Sequence, residues 1–136
     1  LDQRIMVRPT FVAGCGPFPT NKGSWSVAPD TLSAGERTAA VSLYLALVTR
    51  SAMAVAGAAG PIIIEGPFGR DVLFAEALQI LTGRSVLIAA GATGTSTGAA
   101  MLALGPNGHP KLVPDRPVGC IYDLDGLQDY AVRWIS

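Results

Sequence analysis

The sequence is poor in charge. Of its 136 residues only 15% are Asp, Glu, Lys or Arg, and ten basic side chains balance ten acidic ones. A chain with no net charge has no general attraction for nucleic acid or anionic membranes, so we expect neither as a partner. Because 49% of the residues are hydrophobic, we expect some apolar surface to be covered by another domain or subunit. A second copy of this chain, in a homo-oligomer, is one possible partner.

Cysteine and histidine are also scarce. Cys15 and Cys120 have no metal or redox spacing, so we expect two buried or idle thiols in a reducing cytoplasm. His109, the single histidine, lies in an Asn-Gly-His-Pro loop with no second ligand at metal spacing. The sequence therefore predicts no metal site and a cytoplasmic location.

Targeting signals are not evident either. Asp2 and Arg4 open the chain and no continuous apolar run follows, so no signal peptide is expected. The start at Leu1 suggests a processed or truncated product. The longest hydrophobic segment, residues 39–64, is long enough to cross a bilayer, but it contains Arg50 and is broken by Gly60 and Pro61. We expect a buried helix there, and no membrane span.

The length predicts one domain. Strand character is visible at residues 3–7 and 24–28. Ser33 and Glu36 form a capping box, which predicts a helix from Glu36 to about residue 56. Because this helix is apolar nearly all round, we expect it to be packed on more than one side.

Residues 61–104 form the central unit. Ile62 to Ile64 is a β-branched run typical of a strand covered on both faces. Glycines and proline at 66–69 predict a turn, and helical spacing then runs from Asp71 to Leu81, with Gly83 placed to end the helix. A second strand at 85–89, a loop and a small-residue helix at 96–104 follow.

The order strand, turn, helix, strand, loop, helix predicts an α/β fold with parallel strands and crossover helices. Such sheets bind ligands at the carboxyl ends of their strands. The turn at 66–71 and the loop at 90–97 are therefore the first candidates for a site.

The end of the chain is less regular. Residues 105–117 are not expected to hold regular structure. Asp125 and Gln128 form a second predicted capping box. The helix that it opens has an apolar stripe, made of Leu127, Tyr130, Ala131, Trp134 and Ile135.

Three short motifs match known sites only formally. Residues 94–98 fit the G-x-S-x-G elbow of serine hydrolases, but Ser96 does not directly follow a strand, and no Asp or Glu lies between Ser96 and His109. The loop ending at Lys22 resembles a phosphate loop, yet its prolines remove the amide donors that phosphate needs. Glu65 and Asp71 are candidate acid–base carboxylates, although Asp71 has a simpler role at a helix N-terminus.

Three segments resemble the C-terminal domain of FGGY-type carbohydrate kinases. They read EGPFGRD at 65–71, LTGRSV at 81–86 and STGAA at 96–100, and the helix around residues 130–134 is similar to the family's closing helix. Pro67 and Asp71 stand where the family has a glycine and an asparagine. The resemblance runs from about residue 11 to the end of the chain.

The resemblance implies a ribonuclease H-like, actin-type ATPase domain: a mixed sheet with a parallel βαβα core flanked by helices. It implies that Gly66, Pro67 and Phe68 contact the adenosine end of ATP, with Asp71 near the base and Gly98 supporting from the next helix. The general base and the sugar-binding residues belong to the family's N-terminal domain, and neither these residues nor the ligands for Mg²⁺ can be placed in this sequence.

The leading hypothesis is thus a single domain, residues 1–136, forming the nucleotide side of an ATP-dependent kinase for a sugar or polyol hydroxyl. Its partner is the N-terminal kinase domain, and no catalytic residue is assigned to this chain, which we expect to be inactive alone. The alternative is a non-catalytic α/β binding or assembly module of the same fold. A serine hydrolase is the third reading.

Overall fold

A computed structural model describes residues 4–89, 94–105 and 116–135. The described chain is a mixed α/β domain. Its helices are α1 (Ala34–Val55), α2 (Val72–Thr82), α3 (Gly94–Leu104) and α4 (Leu127–Ile135). Its strands are β1 (Val7–Arg8), β2 (Ser24–Trp25), β3 (Ile62–Ile64), β4 (Val86–Ile88) and β5 (Arg116–Pro117). Short 3-10 helices cover Pro29–Thr31 and Gly66–Arg70.

The central unit folds as its pattern predicts. β3 and β4 are parallel, with Ile62 opposite Val86 and Ile64 opposite Ile88, and α2 connects them. The two strands therefore end at the same edge of the sheet. Residues 90–93 of the predicted loop lie outside the described residues, and α3 begins at Gly94, two positions before the predicted start.

Two expectations about the sheet are wrong. β3 is an edge strand in the order β3-β4-β5, and Ile63 is 54% exposed while Ile62 and Ile64 are buried. Successive side chains of a strand point to opposite faces, and only one face of β3 is covered by the described chain. Arg116–Pro117 also forms a short strand, antiparallel to β4, inside the segment predicted to be irregular; residues 106–115 lie outside the described residues.

Helix α1 begins with the predicted capping box. Ser33 Oγ accepts from the Glu36 amide at 3.3 Å, and the Glu36 carboxylate accepts from the Ser33 amide at 2.8 Å. The helix lies against α2, but Val41 and Val55 are exposed. The described chain therefore covers α1 less fully than predicted.

By length and composition α1 could cross a membrane, a criterion that core helices of water-soluble proteins also meet. It is the one helix among the described residues that meets it. In this fold its inner face packs on α2 and contains the buried Ser42. One face of α1 is therefore packed as predicted, but only 28% of its apolar stretch is buried within the structure.

The end of α2 is also as predicted. Gly83 follows the helix with a φ of 64°, and its amide donates to Gln79 O at 2.9 Å. Glycine adopts this left-handed conformation without strain, which is why it ends helices so often. The chain then turns directly into β4.

Helix α4 closes the core. Leu127, Tyr130, Ala131 and Trp134 are buried as predicted, whereas Ile135 is exposed. The Tyr130 hydroxyl donates to Ile5 O at 2.9 Å, and Trp134 Nε1 donates to Val7 O. The C-terminal helix therefore holds the N-terminal strand region in place.

The second predicted capping box does not form. The Asp125 amide donates to the Asp123 carboxylate at 3.1 Å, and Gln128 Nε2 donates to Ile80 O at 2.9 Å. Gln128 thus joins α4 to α2 through a tertiary acceptor on α2. Cys15 and Cys120 are free and exposed.

Tyr130 should make stability depend on alkaline pH. Burial raises the pKa of Tyr130 from 10.0 to about 12, against the opposing effect of the Arg133 and Arg8 charges. Because the folded state holds the phenol proton more tightly than the unfolded chain, this contribution is complete below pH 10.0 and is lost as the pH rises towards about 12. We expect the free energy of unfolding to fall by roughly 2 kcal/mol across that range.

Denaturant unfolding at stepped pH measures this effect. The control is Tyr130→Phe, which loses the hydrogen bond to Ile5 at every pH but should no longer show the Tyr130 part of the alkaline decline. An equal decline in both proteins would contradict the assignment.

Candidate functional site

The turn after β3 packs directly on the end of β4. Gly66 opens the 3-10 helix Gly66–Arg70 with a φ of 69°, a conformation that favours glycine. Gly69 is buried, and a Cβ atom there would lie 2.8 Å from Ile88 Cγ2. The glycines at 66 and 69 therefore let the turn bend and lie flat across the carboxyl edge of the parallel pair.

Asp71 caps α2 and ties it to α1. Its Oδ1 accepts from the Phe74 amide at 3.0 Å, and its Oδ2 accepts from Ser42 Oγ at 2.7 Å. Both carboxylate oxygens are thus engaged within the fold. Of the two roles considered for Asp71, the structure supports the one at the helix N-terminus.

An open groove of about 760 Å³ lies between the first half of α1 and this turn. Small side chains form the α1 wall, so a flat ligand could approach the helix backbone closely. The lining consists of Ala34, Gly35, Thr38, Ala39 and Ser42 on α1, and Pro67, Arg70, Asp71, Val72, Leu73 and Tyr122 on the other side.

The predicted site residues divide into three groups. Pro67 and Asp71 line the groove, while Gly66 and Phe68 belong to the same turn without lining it. Phe68 is half exposed and its ring lies 5.6 Å from that of Phe74, centroid to centroid. Gly98 lies on α3, and a Cβ there would meet nothing within 4 Å, so packing by the described chain does not require glycine.

Sequence reasoning missed much of the groove. Gly35, Ala39 and Ser42 are spaced by four and three residues, which places small side chains on one face of α1. That spacing could have indicated a face of α1 open to close approach by a ligand. Arg70 and Tyr122 were also missed, and Tyr122 had no signal because it comes from a segment without periodicity.

The structure also reveals a buried carboxylate on α2. Glu76 is 2% exposed, and its two oxygens accept from the amides of Ile121 and Tyr122. Glu65, by contrast, is exposed. Within the part of the chain that the structure describes, no group of three or more His, Cys, Asp or Glu side chains could hold a metal ion.

The G-x-S-x-G motif at residues 94–98 does not have the geometry of a hydrolase nucleophile. Ser96 is exposed and lies inside α3, which begins at Gly94. A nucleophile elbow instead places its serine at a sharp turn between strand and helix. The proposed partner His109 lies outside the described residues.

Gly69→Ala should destabilise the fold by about 1–3 kcal/mol, because the added Cβ overlaps a β-branched side chain that has little freedom to move. Chemical denaturation measures the change. The matched control is Gly119→Ala, where a Cβ meets nothing within 4 Å and the stability should change little. Equal losses in the two variants would contradict the close packing of the turn on Ile88.

Asp71→Ala should cost about 1–2 kcal/mol of stability, since it removes the helix cap and the partner of Ser42. Asp71→Asn keeps an acceptor for the Phe74 amide and should cost less. A double-mutant cycle with Ser42→Ala isolates the link between α1 and α2. Strictly additive losses would mean that the Ser42 hydrogen bond contributes nothing.

Comparison with known proteins identifies the family. The sequence profile described as "Carbohydrate kinase FGGY, C-terminal domain" matches residues 1–111. The chain is similar to a carbohydrate kinase from Novosphingobium aromaticivorans of known crystal structure, with 34% sequence identity and a TM-score of 0.76. The similarity covers 99% of this chain but 28% of that kinase. No curated protein sequence matches. The chain belongs to the FGGY carbohydrate kinase family, whose C-terminal domain it matches.

Proposed function

We propose that this chain is the nucleotide side of an ATP-dependent sugar kinase. In this proposal the adenosine end of ATP binds in the groove between α1 and the Gly66–Arg70 turn. The whole enzyme would transfer the γ-phosphoryl group to a hydroxyl of a sugar or polyol in the cytoplasm. The observation that carries the proposal is the position of this groove in a kinase-family domain: it is lined by the turn that follows β3, and that turn packs on Ile88 at the end of the parallel strand β4.

The shape of the groove suits a nucleoside. Its volume of about 760 Å³ falls within the range of roughly 300–1,000 Å³ that small-molecule sites occupy. Gly35 and Ala39 leave room for a flat base against α1, and Pro67 offers an apolar surface on the facing wall. Thr38 and Arg70 provide polar groups for the ribose or the base edge.

The negative charge of Asp71 is compatible with this site. Both of its oxygens already accept hydrogen bonds, from the Phe74 amide and from Ser42. Arg70 lines the same wall and supplies a positive charge next to it. We infer that Asp71 supports the nucleotide by fixing the walls of the groove.

Catalysis would depend on the rest of the kinase. Phosphoryl transfer needs groups that position the nucleophile and neutralise the phosphates, normally with Mg²⁺. The described residues include no cluster of acidic, His or Cys side chains able to hold that ion. We therefore assign the general base, the sugar site and the Mg²⁺ ligands to the N-terminal domain, and we expect residues 1–136 to be inactive alone.

The exposed apolar side chains support a larger assembly. On α3, Leu102 is 85% exposed, and Met101 and Leu104 are also exposed. The edge strand β3 exposes Ile63 on the uncovered face of the sheet. An N-terminal kinase domain, packed against this proposed ribonuclease H-like domain, would account for the exposed surface, since the chain spans 28% of the solved kinase.

Filling the groove should block the nucleotide. A Cβ at Gly35 meets nothing within 4 Å, so the Cβ of Gly35→Leu enters without a clash, the longer side chain extends at the groove, and the substitution also favours the helix. We expect ADP binding to weaken at least tenfold, or about 1.4 kcal/mol, while the melting temperature does not fall. Isothermal calorimetry and amide chemical-shift changes of the full chain measure binding.

The matched control is Ala52→Leu, on the exposed surface of the same helix and away from the groove. It should bind ADP as the unaltered chain does. Equal binding by the Gly35 variant, or no ADP-dependent shifts at Thr38 and Arg70, would overturn the proposed site and favour the non-catalytic module. Sugar-dependent ATP hydrolysis by this chain alone would overturn the proposed division of catalytic groups.

A further inference from the structure

The segment between Val118 and Leu124 is bonded to α2 at Glu76, and the side chains in its middle are exposed. Val118 and Leu124 pack against or within the core at either end. Between them Ile121 is 72% exposed and Tyr122 is 49% exposed. Hydrophobic burial therefore does little to hold the middle of this segment on the domain, yet Tyr122 is part of the groove lining.

Glu76 holds this segment by its backbone. Its Oε1 accepts from the Ile121 amide at 2.5 Å and its Oε2 accepts from the Tyr122 amide at 2.9 Å. A carboxylate that is 2% exposed would be costly without such partners, because burial removes its hydration. Two consecutive amides on the two oxygens of one carboxylate also fix the direction of the chain at Tyr122.

We propose that Tyr122 is a base-contacting wall of the nucleotide groove and that Glu76 is the positioning residue that sets its place. This inference rests on the proposed function of the groove. Tyr122 lines the groove together with Pro67 and Arg70, and its aromatic ring offers a flat face to a purine. Stacking on an aromatic side chain is tolerant of base identity and adds affinity without a hydrogen bond.

The test uses four variants of the full chain. Tyr122→Ala removes the ring from an exposed position, so folding should be unaffected. Tyr122→Phe keeps the ring and removes only the hydroxyl. Ile121→Ala is the matched control, because Ile121 is the exposed neighbour outside the groove lining. Glu76→Gln keeps the size of the side chain but can accept only one of the two amides.

ADP and ribose 5-phosphate are the probes, titrated by calorimetry and by amide chemical shifts. We expect Tyr122→Ala to weaken ADP binding about tenfold and to leave ribose 5-phosphate binding unchanged, since that ligand has no base. Ile121→Ala should bind ADP as the unaltered chain does, and Tyr122→Phe, which restores the ring, should recover the affinity that Tyr122→Ala loses. Equal ADP affinity in Tyr122→Ala and the unaltered chain overturns the contact.

A double-mutant cycle separates positioning from general stability. If Glu76 acts through Tyr122, then Glu76→Gln weakens ADP binding in the unaltered chain but not in the Tyr122→Ala background. Equal losses in both backgrounds overturn the positioning role. Hydrogen exchange should also show faster exchange of the Ile121 and Tyr122 amides in Glu76→Gln, independently of any ligand.

The two proposals fail in different ways. If the unaltered chain gives no ADP-dependent shifts in the groove, the nucleotide site itself is wrong and the role of Tyr122 falls with it. If the unaltered chain binds ADP and Gly35→Leu abolishes binding while Tyr122→Ala does not change it, only the wall assigned to Tyr122 is wrong.

Discussion

The Asp71 carboxylate determines how the two helices beside the sheet meet. One oxygen caps the first turn of α2 and the other accepts from Ser42 on α1. Because the groove has α1 on one side and the turn that leads into α2 on the other, its width depends on this pair of hydrogen bonds. Gly69 fixes the position of the turn itself, since the turn can lie against Ile88 only where no Cβ intervenes.

Glu76 plays a comparable role on the next turn of the same helix. A buried carboxylate stabilises a fold only when its oxygens are fully paired, and here the pairing groups are two backbone amides of a distant segment. Two carboxylates on α2 and its N-cap therefore have different roles. Asp71 holds α1 and α2 together, and Glu76 holds the segment that brings Tyr122 to the groove.

The proposed division between nucleotide binding and chemistry rests on what this chain contains. It belongs to the FGGY kinase family and has an open groove between α1 and the turn that follows β3. Its described residues bring no cluster of carboxylates together. In a kinase whose two domains close around the substrates, one domain can bind the nucleotide while the other carries the reacting groups. Phosphoryl transfer then occurs only after the domains close.

Local signals in the sequence predicted the elements well. Ser33 with Glu36, the β-branched run at Ile62 to Ile64 and Gly83 each act through neighbours a few residues away, and each gave the correct helix boundary or strand. The family resemblance pointed to the turn at 66–71, and Pro67 and Asp71 do line the groove. Two local patterns failed, at Gln128 and Ile63, because a tertiary acceptor and the open face of the sheet decided their environments.

The sequence by itself therefore determined the order of the helices and of strands β3 and β4, the turn that follows β3, and the family. Only the tertiary structure decided which side chains share the groove. Glu76 and Tyr122 are 46 positions apart, and Ser42 and Asp71 are 29 apart. No local periodicity relates residues at such separations, since their contact depends on how α1, α2 and the 118–124 segment pack together.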